Sequence, residues 1–405
     1  MLPQDPPAGS PVDLPALARL WSRGADREIE VVSGRRTAGV PAGNRYVAFP
    51  PRKPRVLLPL EGRRAAAGAL TGNLSLRRPR DRVKRRVLAW SVRSGVPQAL
   101  LRNRWAGLVA DDEPALLEAL REQWDSRAHA LTFTIRSATP NYKPTFVATD
   151  EHGQVLAYAK MSTTPGSAAR VRREADALCW LEQNPVEGLR APRLLGRLVW
   201  RESEVALVEP LPASAVRYPR DDTAPAMLVN DAVRRGRTRS AEDVAHSLAE
   251  RVASAEDTEV TDRARSYADQ VRERNGGTPV PVGRTHGDWV PWNVARDGDE
   301  TWAWDWEHSG EDEAVCLDLV HWHQFVARER LRQDLTASIV LAERRAARDL
   351  AALGFTVEQR RTLVALGRLH VAARAAELYR ASGRWAGAER SMILDALAGP
   401  PGNVT

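Results

Sequence analysis

The residues best suited to chemistry concentrate in one stretch. His286-Gly287-Asp288-Trp289-Val290-Pro291-Trp292-Asn293 sets a carboxylate and a carboxamide on a tight loop, and twelve residues after Asn293 comes Asp305-Trp306-Glu307. Those types in that order suit phosphoryl transfer: one Asp accepts the proton of an acceptor hydroxyl, while an Asn and a second Asp hold Mg2+ against the phosphates. Each residue alone has a plainer reading. Asp288 and Asn293 are both turn formers, His286 reads as a buried structural histidine, and Asp305 reads as a charge on a strand end. The alternation Trp302-Ala303-Trp304-Asp305-Trp306 decides for chemistry. It predicts a strand that buries Trp on one face and presents a carboxylate at its end.

A second constellation lies upstream. Of 59 basic residues only four are lysine, Lys53, Lys84, Lys143 and Lys160. Lys160 closes the strand-like alternation Gln154 to Lys160, which follows the hairpin turn Asp150-Glu151-His152-Gly153. A compact ammonium suits a nucleotide phosphate site, where the wider fork of Arg is not equivalent. Glu174 follows on a helical pattern backed by Leu178 and Leu181. A strand lysine paired with a helix glutamate is how kinases position phosphates.

The spacing His-Gly-Asp-x4-Asn…Asp-x-Glu resembles the signature of the aminoglycoside phosphotransferase and choline kinase family, small-molecule kinases on the protein-kinase fold. The resemblance spans roughly residues 130–325. It implies Asp288 as base, Asn293 and Asp305 as Mg2+ ligands, and Lys160 with Glu174 on the phosphates of ATP or another nucleoside triphosphate. It also implies that His286 braces the loop and that Asp318 is structural. Glu204 to Leu211 resembles the strand and hinge between two lobes, with adenine on the backbone around Glu209 and Leu211. The phosphate-covering loop, Arg136 to Pro144, departs from protein kinases because it has no glycine. Its contacts stay open between Ser137, Thr139, Lys143 and the backbone alone.

The elements that must position these groups set the fold class. An α+β, protein-kinase-like two-lobe fold is expected, with a small β-rich N-lobe over 129–212 and a larger, mostly helical C-lobe over 213–405. An extra basic α+β extension occupies 1–128, with strands near 28–32, 45–49 and 55–58 and helices near 61–70, 80–94 and 114–124. In the C-lobe, Ser240 with Asp243 three residues later predicts a helix to about 254. Further helical patterns cover about 260–274, 324–351, 357–381 and 386–398, and Leu317-Asp318 opens the first C-terminal helix. His321 and His323 are two apart, do not share a helix face, and are not read as metal ligands.

Composition bounds the rest. The net charge of +7 is uneven: residues 1–128 carry 23 basic against 13 acidic groups, and residues 213–405 carry 26 against 30. The cluster from Arg77 to Arg86 is read chiefly as a solvated helix face, with an anionic partner such as a phosphorylated intermediate or a lipid headgroup as the alternative. Without interleaved aromatics it does not favour nucleic acid. Cys179 and Cys316 read as buried thiols of a reducing compartment. With no signal-like N-terminus and no run of ~20 apolar residues, a cytoplasmic protein is expected.

The expected function is ATP-dependent phosphorylation of a hydroxyl on a small molecule of the aminoglycoside, amino sugar, sugar or amino-alcohol class. The alternatives are a kinase of a larger glycan or protein acceptor docked by the basic extension, and a catalytically inactive binding module. A cationic acceptor is favoured by Glu307, by the aromatic faces of Trp289, Trp292 and Trp306, and by the acidic C-lobe. The run Glu311-Asp312-Glu313 reads as an exposed loop leading to a helix N-terminus.

Overall fold

A computed structural model describes residues 30–33, 45–49, 55–100, 105–109, 116–134, 143–218, 223–385 and 388–399. They fall into two compact units, one built from the chain up to Gln183 plus Ala191–Arg217, the other from Asn184–Arg190 and the chain from Tyr218 onwards.

The first unit is organised by a nine-stranded sheet. Its strand order is Glu30–Ser33, Trp105–Val109, Arg45–Phe49, Val56–Pro59, Ala130–Thr134, Thr145–Thr149, Val155–Met161, Ser203–Val208 and Leu194–Trp200. Val56–Pro59 pairs antiparallel with Ala130–Thr134, so the sheet runs without interruption across position 128. From Ala130 onward the order is strand, strand, strand, helix, strand, strand, with Pro165–Gln183 as the helix once the two-residue strand Leu189–Arg190, which belongs to the other unit, is set aside. The hairpin before Val155–Met161 is formed by Asp150, whose Oδ1 accepts the amides of His152 at 3.0 Å and Gln154 at 2.7 Å. Gly153 in that turn has φ 90° and lies so close to the helix Arg63–Thr71 that a Cβ on Gly68 would sit 1.9 Å from its carbonyl oxygen. Glycine is required on both sides of that contact.

The core of this unit is one sheet face. Leu57, Leu131, Phe133, Phe146, Met161 and Leu207 are buried with Leu116, Leu117 and Leu120 from the helix Leu116–Gln123. The helices Arg63–Thr71 and Pro79–Arg93 close a smaller cluster through Ala66, Ala67, Leu70, Ala89 and Val92.

In the second unit, the helices Ala241–Ala253, Thr258–Asn275 and Val357–Ser382 pack against one another. Their starts are written in side chains: Ser240 Oγ accepts the Asp243 amide at 3.1 Å, and Thr356 forms a capping box with Gln359. The single helical pattern expected over 324–351 is two helices, Leu317–Arg330 and Leu335–Ala352. The break lies where Arg332 takes φ 58° and Asp334 accepts the Ala337 amide at 2.8 Å. The apolar periodicity carries on through the break; the cap at Asp334 is the local signal that overrides it. Among the described residues no helix is long and apolar enough to cross a membrane.

Candidate active site

Asp288 sits on the connection between the strands Pro279–Thr285 and Val294–Asp297, and the loop around it is tied down from several directions. Asp318, in the first turn of Leu317–Arg330, accepts the His286 amide at 2.8 Å and the Gly287 amide at 3.0 Å. Burial pushes the Asp318 carboxyl up to about 7, against these two amides, which favour its charged form. Gly287 has φ 75°, and a Cβ there would meet the His308 carbonyl oxygen at 2.1 Å. Only glycine fits.

His286 braces the loop, as expected. It is fully buried, its Nδ1 accepts the Asp288 amide at 3.2 Å, and its Nε2 donates to the Trp304 carbonyl at 2.9 Å. That pattern requires a neutral ring with the proton on Nε2, in accord with burial pulling its pKa down to about 4. The ring packs against Trp306 and Trp289 at centroid distances of 4.6 and 5.2 Å.

The Asp288 carboxylate is itself held. Asn293 Nδ2 donates to Asp288 Oδ2 and to its carbonyl, both at 3.0 Å, and His321 Nε2 lies 3.2 Å from Oδ1. Arg374 approaches Oδ1 at 3.9 Å and donates to His308 Nδ1 at 2.8 Å. Burial works to raise the Asp288 pKa, but the hydrogen bond from His321 and the nearby charge of Arg374 hold it well below the ordinary carboxylate range. Burial lowers His321 at the same time. A neutral His321 donating from Nε2 to an ionised Asp288 satisfies both shifts. Beyond it, His370 is buried and pushed toward its neutral form, with its ring 6.0 Å from that of His321.

Asn293 and Asp305 stand at the same end of one hairpin. The strands Val294–Asp297 and Glu300–Ala303 pair in register, and the Trp304 amide donates to the Asn293 carbonyl at 3.0 Å. Asp305 follows at φ 71°, turning the chain out of the strand into the short turn Trp306–His308. Aspartate is one of the few non-glycine residues that take this left-handed conformation readily. With its amide nitrogen engaged by Asp288, Asn293 keeps an amide oxygen for a cation, and Asp305 adds a carboxylate. Two oxygen donors of this kind suit Mg2+, which keeps waters and phosphates in its remaining positions. Among the described residues no group of three or more His, Cys, Asp or Glu could hold a metal ion.

In the other unit, Lys160 Nζ donates to Glu174 Oε1 at 2.7 Å, with Glu174 almost fully buried at the core side of Pro165–Gln183. Glu209 follows Ser203–Val208, donates its amide to the Arg193 carbonyl at 2.9 Å and accepts the Arg193 guanidinium at 3.1 Å. Leu211 lies just beyond, and Ser137 lies outside the described residues.

Several expectations change. Trp289 and Trp306 are buried and offer no face to a ligand; Trp289 donates its indole N–H to the Pro225 carbonyl at 3.0 Å. Trp292 is half-buried, edge-on to Phe325 at 4.2 Å. In the hairpin strand the buried face is Thr301 and Ala303, while Trp302 and Trp304 are the half-exposed ones. Alternation defines two faces without saying which one points inward. The 311–313 run is not a loop: it belongs to the strand Gly310–Ala314, where Glu311 pairs with Arg284, Asp312 with Arg237 and Glu313 with Arg251. Glu307 is largely buried, 3.8 Å from His308 Nε2.

The sequence offers His321 only as a rejected metal ligand and gives no role to Arg374 or His308. A signal for His321 existed. It is three residues from Asp318 on one helix, hence on the same face, whereas His323 points elsewhere and bonds Asp349 at 2.7 Å. Cys179 and Cys316 are both free thiols, half-buried and buried respectively.

No family model and no curated protein matches the sequence. Solved structures do match in shape. One is the amicoumacin kinase hAmiN in complex with AMP-PNP and Ca2+, at TM-score 0.43 and 10% identity, covering 71% of this chain and 92% of that one. Another is a thermostable mutant of aminoglycoside phosphotransferase APH(4)-Ia with AMP-PNP and hygromycin B, at TM-score 0.43 and 11% identity, over 71% and 98%. A choline/ethanolamine kinase family protein from Mesorhizobium loti gives TM-score 0.37 and 15% identity over 65% and 84%. The chain, an α+β protein with an antiparallel-sheet unit and a mostly helical unit, is thus similar to aminoglycoside phosphotransferases and to a choline/ethanolamine kinase family protein.

Proposed function

We propose that this protein transfers the γ-phosphoryl group of ATP, or of another nucleoside triphosphate, to a hydroxyl of a small molecule. The observation that carries this reading is the clamp on Asp288: Asn293 and His321 fix both carboxylate oxygens on a loop that Asp318 pins. A carboxylate so oriented and kept ionised is prepared to receive a hydroxyl. Its low pKa makes it a weak base, so its main work is to aim the acceptor oxygen and to take the proton as the new P–O bond forms and the nucleoside diphosphate leaves.

Mg2+, held by the Asn293 oxygen and Asp305, would supply charge neutralisation between the phosphates. Lys160 would hydrogen-bond phosphate oxygens, with Glu174 aiming its ammonium. The backbone around Glu209 and Leu211 is the hinge assigned to adenine, with Ser137 assigned to the phosphate-covering loop. In this reading residues 129–212 bind nucleotide, 213–405 carry the catalytic loop, and 1–128 are an addition to that frame. A reducing cytoplasm suits the free thiols. Glu307 and Trp292 are the acceptor-facing candidates, and a hydroxylated amine or amino sugar is favoured because Glu307 is a carboxylate close to the loop.

The test is nucleoside diphosphate release with Mg2+, measured across neutral, cationic and anionic hydroxylated acceptors, aminoglycosides included, with the phosphorylated product identified by mass. Turnover that requires a hydroxyl acceptor supports the reading. Nucleotide binding without turnover on any acceptor would instead favour a catalytically inactive binding module.

A further inference from the structure

The outer face of Pro79–Arg93 plays no part in this chemistry and packs against nothing described. Its inner face, Leu88, Ala89 and Val92, packs onto Arg63–Thr71. On the opposite side Val83, Val87 and Trp90 are 61%, 60% and 70% exposed. Their spacing of four and three residues makes one continuous stripe along the helix. Tryptophan at that exposure is unusual for a large apolar side chain, and here it lies beside two exposed valines instead of standing alone.

Charge borders the stripe on both sides. Taking 100° per residue, Arg80 and Lys84 fall on one flank and Arg86 and Arg93 on the other, and all four are exposed. Among the described residues no carboxylate pairs with any of the four. By contrast Arg82 and Arg85 are turned back onto the protein, donating to the Ser75 carbonyl at 2.8 Å and the Leu70 carbonyl at 3.2 Å. Thus the inward arginines serve the fold and the outward cations frame the apolar stripe. Asp81 is the single acidic residue between Arg77 and Arg93.

We propose that this helix face is a peripheral docking surface for an anionic lipid bilayer, with Trp90, Val83 and Val87 entering the interfacial zone and Arg80, Lys84, Arg86 and Arg93 on the headgroups. A shallow apolar stripe carrying tryptophan and framed by cations matches the two-part character of a bilayer surface, apolar just beneath an anionic layer. The same features disfavour other occupants. A second copy would bring its own row of cations against these. A single-stranded nucleic acid would use successive aromatics, of which the stripe has one. The proposal does not depend on the phosphotransferase reading.

The experiment is co-sedimentation of the full chain with phosphatidylcholine vesicles, with and without phosphatidylglycerol. Wild type is expected on the anionic vesicles and not on the neutral ones, with each exposed cation contributing about fivefold near an anionic leaflet. The variant Val83→Ser/Val87→Ser/Trp90→Ser and the variant Arg80→Gln/Arg86→Gln should each bind at least about tenfold more weakly, at an unchanged melting temperature. Trp90→Ser alone provides the same readout if the triple variant folds poorly. Equal binding to neutral and anionic vesicles, or anionic binding that ignores the apolar substitutions, overturns the proposal. So does a wild type that ignores vesicles yet captures an acidic polypeptide, which would assign the face to a protein partner.

Discussion

The loop around Asp288 and the pair Lys160–Glu174 are both polar constellations, but they are built differently. Asp288 is held by Asn293 from its own hairpin, by His321 from one helix and by Arg374 from another, on a loop fixed by Asp318 and by a glycine that nothing else can replace. Lys160 and Glu174 meet through an ion pair between a strand and a helix. In the first, the carboxylate is held from several directions at once. The second depends on the shape of one ammonium. In the first, removing the central group is informative; in the second, changing its shape is.

The largest effect is expected at the centre of the clamp. Asp288→Asn should fold normally and bind nucleotide, yet lose on the order of 10³-fold in turnover, because the acceptor hydroxyl loses its oriented proton acceptor. Rates within tenfold of wild type would show that the clamp holds a structural carboxylate. Next comes the loop's backbone. Gly287→Ala must relieve both φ 75° and the contact with the His308 carbonyl. It is expected to lower stability by about 3 kcal/mol, read by urea unfolding, together with activity.

The comparison sharpens at the lysine. Lys160→Ala and Lys160→Arg should each cost on the order of 10²-fold in turnover, since the arginine fork does not reproduce a compact ammonium against buried Glu174. An active Arg variant, in a chain that uses arginine almost everywhere else, would make the pair a structural strut.

The smallest effect is a pH signature of the loop's supports. His286 has a folded pKa near 4, below its ordinary value, so the unfolded chain binds the extra proton and this group removes stability as pH falls from 6.5 toward 4. Asp318 has a folded pKa near 7, above its ordinary value, so the folded chain binds the extra proton and this group adds stability as pH falls from 7 toward 4. Over that window the two oppose. Asp318→Asn removes the second and should make stability between pH 6.5 and 5 fall about 2 kcal/mol more steeply than in wild type. Parallel profiles would mean that Asp318 is ionised throughout.

What was legible in the sequence was what short-range order fixes. The types and spacing from His286 to Asp305 announced a polar loop braced by its histidine, the strand-lysine and helix-glutamate order announced their contact, and caps such as Ser240 announced helix starts. These follow from local periodicity and side-chain chemistry, which neighbouring residues settle among themselves. Tertiary packing decided the rest. It chose Thr301 and Ala303 over the tryptophans for the buried face of their strand, and it buried Trp289 and Trp306 around His286. It drew Glu311, Asp312 and Glu313 into a strand beside arginines far along the chain. It also brought His321 and Arg374, 33 and 86 positions beyond Asp288, to the same carboxylate oxygen. Local spacing puts His321 on the face of Asp318, but no local pattern says which carboxylate that face meets, because this depends on which helix faces pack together, and that is settled only by the whole unit burying its apolar surface at once.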